Sequence, residues 1–202
     1  MRSHVFRGDT RTVHARGDDH FAKIKVSLED AYTGNTVAIS LSMAAVNGTG
    51  HVVSRPHTLN VKIPRGITEG QQIRLPGQGG PGLGSSPPGD LYLEIAFQPH
   101  HLFRVEKRDV TMELPITPWE AALGSKVTVP TLGGKVELQI PPGSQSGRKL
   151  RLKGRGLPGR PNGDQFVVLR IVTPRADTPA ARALYERMAR EMPMQPRQHL
   201  GV

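Results

Sequence analysis

The sequence of 202 residues contains no cysteine. That absence removes a disulfide framework, a thiolate zinc site and a thiol nucleophile together. No apolar run approaches the roughly 18 residues that cross a bilayer as a helix. The opening Met1-Arg2-Ser3-His4 also lacks a signal-peptide pattern. A cytoplasmic protein with no membrane partner is the resulting expectation. Catalytic constellations are missing too. No Gly-x-Ser-x-Gly elbow follows a strand-like segment, and none of the eight His has a second His at metal-ligand spacing on a helical pattern. The pair His100-His101 reads as a hinge or surface feature. No enzyme activity, metal or cofactor is expected.

Turns, by contrast, are abundant. With Gly 23, Pro 18 and 36% apolar residues, the composition suits short strands and loops rather than long helices. The length allows one large domain or two small ones. Residues 1–19 are polar without a sustained period and read as a tail or linker. From His20 a period of two sets in. Ala22, Ile24, Val26 and Leu28 alternate with polar residues, as do Val37, Ile39, Leu41 and Met43, then Leu59, Val61 and Ile63. A single turn at Glu29–Tyr32 ends at Gly34, and a loop surrounds Asn47–Gly50. A Gly/Pro-rich loop over 76–89 precedes the run Leu91, Leu93, Ile95 and Phe97. The loop's Gly77-Gln78-Gly79-Gly80-Pro81-Gly82 opens no helix, so it reads as a flexible hairpin connection and not a phosphate cradle.

The second half repeats this grammar. IPRGITEGQQIRLPGQG at 63–79 aligns without a gap on IPPGSQSGRKLRLKGRG at 140–156. Around it, Trp119–Gly124 matches Glu29–Gly34 in place and ending, and Gly163-Asp164 precedes a strand as Gly89-Asp90 does. The expected fold is mostly β: two tandem, similar, β-sandwich-like domains over 20–98 and 99–175, then a short C-terminal α-helix within 176–202. Thr178 suits the N-cap and Pro179 the first turn, while Ala181, Leu184, Met188 and Met192 mark one apolar face of that helix. Two finished β domains leave this stripe to meet a second chain, which makes a homodimer the expectation.

The combination of Leu28-Glu29-Asp30-Ala31-Tyr32-x-Gly34, Leu59-Asn60-Val61-Lys62-Ile63-Pro64-x-Gly66, Gly89-Asp90-Leu91-Tyr92 and Pro118-Trp119-Glu120-Ala121-Ala122-Leu123-Gly124 resembles the C-terminal region of DnaJ-family co-chaperones. Lys126-Val127-Thr128-Val129-Pro130-Thr131-Leu132 and Ile140-Pro141-Pro142-Gly143-Ser144-Gln145 are most similar to that family's curved-DNA-binding branch. The resemblance covers roughly 17–192 in the family's order. It implies a client-binding arm of two β domains, with a terminal helix that joins two arms into a clamp. It also implies a groove for unfolded or partly folded polypeptides on the first domain, lined here by Ala22, Ile24, Val37, Ile39, Leu41 and Leu93. From pattern alone the same residues read as ordinary core. The family's J domain has no counterpart in this sequence, because no His-Pro-Asp occurs. The Gly/Phe linker and the zinc insert are missing as well. The chain is therefore expected to be either a fragment of a longer co-chaperone or a J-less relative. A DnaK-type chaperone is a partner only where a J domain is supplied elsewhere.

A second reading follows from charge. The formal net charge is +10. From Gly143 to Arg175 eight basic residues face one acid, Asp164, and alternation sends the basic side chains away from Leu150 and Leu152. Arg148, Lys149, Arg151, Lys153, Arg155 and Arg160 are the candidate contacts to DNA phosphates. No aromatic platform accompanies them, so only backbone or shape recognition is expected, with a nucleoid location if DNA is the partner. A solvated basic face is the alternative.

Overall fold

The computed structural model describes residues 15–46 and 52–201; of residues 42–46 and 52–56 it describes the backbone alone. The expected tail up to residue 14 and the loop around Asn47–Gly50 lie outside the described residues.

Strands dominate. The first repeat runs β1 (His20–Val26), α1 (Leu28–Thr33), β2 (Thr36–Val46), β3 (Val52–Lys62), β4 (Gln72–Leu75) and β5 (Leu91–Phe97). The second runs β6 (Arg104–Glu106), β7 (Asp109–Ile116), α2 (Pro118–Leu123), β8 (Ser125–Thr131), β9 (Gly134–Ile140), β10 (Lys149–Leu152) and β11 (Gln165–Ile171). Helix α3 (Pro179–Glu191) follows. The sheets repeat with the sequence. Order β1-β5-β4 is matched by β10-β11-β7-β6, and the hairpin β2-β3 by β8-β9. Strand β1 lies parallel to β5, while β4 is antiparallel to it.

Both short helices begin and end by the same chemistry. Ser27 Oγ accepts the Asp30 N–H at 3.1 Å, and Thr117 Oγ1 accepts the Glu120 N–H at 3.3 Å. Glu120 completes a capping box by accepting the Thr117 N–H at 2.7 Å. Gly34 and Gly124 close the helices, each at φ 79°. The alternation read through Leu28 thus stops at Val26. Ser27 caps the helix and Leu28 is its first residue, buried at 2% exposure.

Two other differences have simple causes. Strand β3 starts at Val52, well before the alternating run at Leu59. Among the described residues it pairs only with β2, so Pro56 interrupts no second ladder. Strand β6 is three residues long, too short for a period to show.

Two compact units can be distinguished. One holds the chain up to Met112 with Val129–Val136 and Leu150–Val167; the other holds Glu113–Thr128, Glu137–Lys149 and Val168–Val202. Within the first, Ile24, Val26, Ala31, Val61, Ile63, Leu91, Leu93, Ile95 and Leu157 form one apolar cluster shared by both sheets of the first repeat. In the second, Leu114, Ile116, Ala121, Leu138, Ile140 and Leu169 are buried. No helix of the described residues is long and apolar enough to cross a membrane.

Candidate functional site

The six residues expected to line a groove meet in the apolar cluster of the first unit, at two depths. Leu93 is fully buried and Ile24 nearly so, whereas Ala22, Val37, Ile39 and Leu41 are only partly covered and pack on that floor. Leu93 and Ile24 are thus buried, and the accessible apolar surface belongs to the other four. Leu59, which sits opposite Ile39 in the hairpin, joins them half-buried. Its alternation was visible in the sequence, but nothing there showed which side of β2 it shares. Among the described residues, strand β1 has β5 as its one partner and β2 has β3, so each presents an unpaired edge. An extended peptide can bond to such an edge while its side chains enter apolar pockets.

The second repeat fills three of these four positions, while Val127, the counterpart of Val37, stays half-buried. Over β1, α1 and β2 the helix caps fix one offset, Ser27 and Gly34 bounding α1 as Thr117 and Gly124 bound α2. On that register Ala22 corresponds to Met112, Ile39 to Val129 and Leu41 to Thr131. Met112, Val129 and Thr131 are all buried, Val129 completely.

The glycine-rich loops prove to be fastened. Gly79 and Gly89 bond each other's neighbourhood (Gly79 N–H to Gly89 O, Gly89 N–H to Gly80 O, both 2.9 Å), and Gly80 N–H bonds Asp18 O at 2.8 Å. Residues 15–19, assigned to a tail by sequence, thus hold the loop, with Leu83 N–H bonding Ala15 O at 2.9 Å. A Cβ at Gly89 would collide with the Asp18 backbone, and one at Gly163 with the Arg108 backbone. Close backbone approach, not phosphate binding, accounts for these glycines.

One carboxylate anchors each loop. Asp90 Oδ1 accepts the Gly77 N–H at 2.9 Å and Oδ2 the Arg74 Nε–H at 2.8 Å, while Asp90 N–H bonds Asp19. Asp164 repeats this with Gly154 at 2.7 Å, Arg151 Nε at 2.7 Å and Asp109. The Gly77 N–H foremost, then Arg74, holds the Asp90 carboxyl below the usual carboxylate range against the opposing effect of burial. Gly154 and Arg151 do the same for Asp164.

That node changes the reading of the basic segment. Arg148, Lys149, Arg151, Lys153, Arg155 and Arg160 are all exposed, and Lys149 and Arg151 alternate with half-buried Leu150 and Leu152 along β10. Arg151, however, makes a two-pronged pair with Asp164, its NH2 group at 2.6 Å, so its fork is committed within the chain. Arg148 precedes the strand and reaches Ser144 Oγ at 3.5 Å. His100 is likewise structural. Its Nδ1 accepts the N–H groups of Leu102 and Phe103 at 3.0 and 3.1 Å, and its Nε2 faces Glu29 at 3.0 Å. No metal-binding group of side chains occurs among the described residues.

In the second unit, Thr178 caps α3 by accepting the Ala181 N–H at 3.1 Å. The helix buries none of its residues: Leu184 is 67% exposed and Met192 63%. Ala181, Leu184 and Met188 share an apolar cavity of about 400 Å³ with Pro118, Trp119 and Tyr185. Tyr185 donates to Pro174 O at 2.6 Å. Trp119, 56% exposed, was recognised in the sequence only as part of the α2 motif.

The sequence model of the DnaJ C terminal domain matches residues 21–174. The chain belongs to this family. Among its relatives, the curved DNA-binding protein of Coxiella burnetii (strain Dugway 5J108-111) is 55% identical over 186 residues, covering 92% of this chain and 59% of the relative. That of Salmonella arizonae is 45% identical over 190 residues, 93% of this chain and 62% of the relative. The protein of the same name from Pseudomonas syringae pv. tomato is 42% identical over 193 residues, covering 94% and 62%. The chain thus spans about three fifths of the length of these relatives. As a DnaJ C-terminal domain it is of a chaperone-type, non-enzymatic kind.

Proposed function

We propose that the chain is the client-binding part of a DnaJ-type co-chaperone of the cytoplasm, holding unfolded polypeptides and delivering them to a DnaK-type chaperone where a J domain is supplied. The supporting observation is the difference between the repeats: among the described residues, Ala22, Ile39 and Leu41 are partly open beside unpaired β1 and β2 edges in the first, and their counterparts in the second are buried. Residues 20–98 carry the groove, 99–175 the second β domain, and α3 joins two copies. Aggregation of a chemically denatured client, followed by light scattering without ATP, tests it. The wild-type chain suppresses scattering, and a folded Ile39→Ser variant suppresses it less. Equal suppression by both removes the site assignment. With no His-Pro-Asp in the sequence, the chain alone does not accelerate a DnaK-type ATPase.

A second activity, weak and sequence-tolerant DNA binding, is favoured by the exposed Lys149, Lys153, Arg155 and Arg160 and by the name its relatives carry. Neutralised phosphates release counterions, so replacing these four by Gln flattens the salt dependence of affinity.

A further inference from the structure

Sulfur in this sequence is confined to thioethers. There are six methionines and no cysteine, so no thiol of the chain competes with them for an oxidant. The methionines are unevenly placed, and three of the six, Met188, Met192 and Met194, fall within seven residues. Met112 in β7 is 5% exposed, whereas Met188 is 44%, Met192 63% and Met194 79% exposed. Met188 and Met192 stand four residues apart and continue the face of α3 that Leu184 begins. That face is held from its start, where Thr178 caps the first turn and the Tyr185 hydroxyl bonds Pro174 O. Met188 also lines the apolar cavity that contains Trp119, the one tryptophan of the sequence.

A thioether and its oxidised form suit opposite surroundings. The thioether is soft and apolar and fills gaps in an apolar contact, while the sulfoxide is polar and keeps water. Oxygen on Met188 would set a dipole in the cavity beside Trp119, and oxygen on Met192 a second one a turn further along the stripe. Pressing either against an apolar surface then carries a desolvation cost. Leucine, used at 184, would extend the same stripe without this chemistry.

We propose that Met188 and Met192 form a paired oxidation site through which hydroperoxides release the contact made by α3. This rests on the reading that α3 joins two copies. The thioether sulfur attacks the distal oxygen of the hydroperoxide. An S–O bond forms and the O–O bond breaks; sulfur is oxidised by two electrons, and hydrogen peroxide is reduced to water. A dithiol acting through a sulfoxide reductase reverses the step, the oxygen leaving as water and the dithiol becoming a disulfide. A helix of 13 residues makes a small contact, so copies exchange and the oxidant meets the free protomer. Modification of that form draws the population toward monomer by mass action.

The test sediments the whole chain before and after hydrogen peroxide, with oxygen uptake at each methionine read by mass spectrometry. In dilute protein, Met188 and Met192 oxidise about tenfold or more faster than buried Met112. With both oxidised, the dimer dissociation constant rises about tenfold or more while circular dichroism is unchanged. Each variant is compared with itself before and after peroxide. The double variant Met188→Leu, Met192→Leu loses the response, and Met188→Gln with Met192→Gln associates weakly before any peroxide is added. If the unoxidised wild type is monomeric at every concentration, the reading of α3 and the oxidation site both fall. If it is dimeric and both sulfoxides leave the dimer intact, the oxidation site alone is overturned. Oxidation of Met112 at an equal rate overturns it, and so does an undiminished response in the folded double leucine variant. Dithiothreitol with a sulfoxide reductase restores the dimer; monomer that persists after the sulfoxides are removed also overturns it.

Discussion

The two repeats share their caps, their loop anchors and their sheet order, yet they treat the same apolar positions differently. In the second, Met112, Val129 and Thr131 are buried; in the first, Ala22, Ile39 and Leu41 stay partly open over the buried pair Ile24 and Leu93. The hairpin β2-β3 has strands of 11 residues where β8 and β9 have 7. Duplication thus preserves what closes a domain and leaves free what a domain can offer to a partner. One small residue, Ala22, in the place of a methionine is the simplest cause of the opening.

The largest effect should come from the floor. Leu93→Ala empties a fully buried site and costs about 2–5 kcal/mol, measured by urea unfolding. Ile39→Ala, half-covered, should cost less than that range. If the two costs match, the distinction between floor and wall is wrong, and the groove is ordinary core. Next comes the copy of one repeat into the other. Ala22→Met should fill the opening as Met112 does, lowering affinity for an apolar client peptide about tenfold or more while the midpoint of unfolding holds or rises. Unchanged affinity would separate the opening from binding.

The loop anchors give a pH-dependent contrast of intermediate size. Asp90 and Asp164 have folded-state pKa values held below the ordinary value near 4, so each contributes stability above that value. That contribution is lost as pH falls through the lowered folded value. Asp90→Asn and Asp164→Asn should each lower Tm at pH 7 and flatten its decline in acid. Identical acid limbs in wild type and both variants would show the anchors to be unimportant. A smaller effect concerns α3. Its Leu184 and Met192 are largely exposed, and Leu184→Asp should shift sedimentation toward monomer with both repeats still folded.

Much of this was legible in the residues. The repeat, the helix cap at Thr178 and the β11 and α3 segments follow from local spacing, which backbone chemistry determines. What the sequence concealed was depth. Alternation says that Ala22, Ile24 and Leu93 share an inward side, but not that Leu93 lies beneath and Ala22 at the rim. Charge counting had the same blind spot: Arg151 counts as a cation, while only the fold shows it tied to Asp164. The loop of 76–89 looked flexible because its glycines have no side chains to reveal partners. Their bonds run through the backbone to Asp18 and Ala15.

Hydrogen exchange of the full chain with and without a denatured client tests the central claim most directly. Backbone amides on the free edge of β2, within Thr36–Leu41, should gain protection when client is added. Their counterparts in β8, within Lys126–Thr131, should not change. Protection of β8 alone, or of neither strand, would contradict a client site built on the open face of the first repeat.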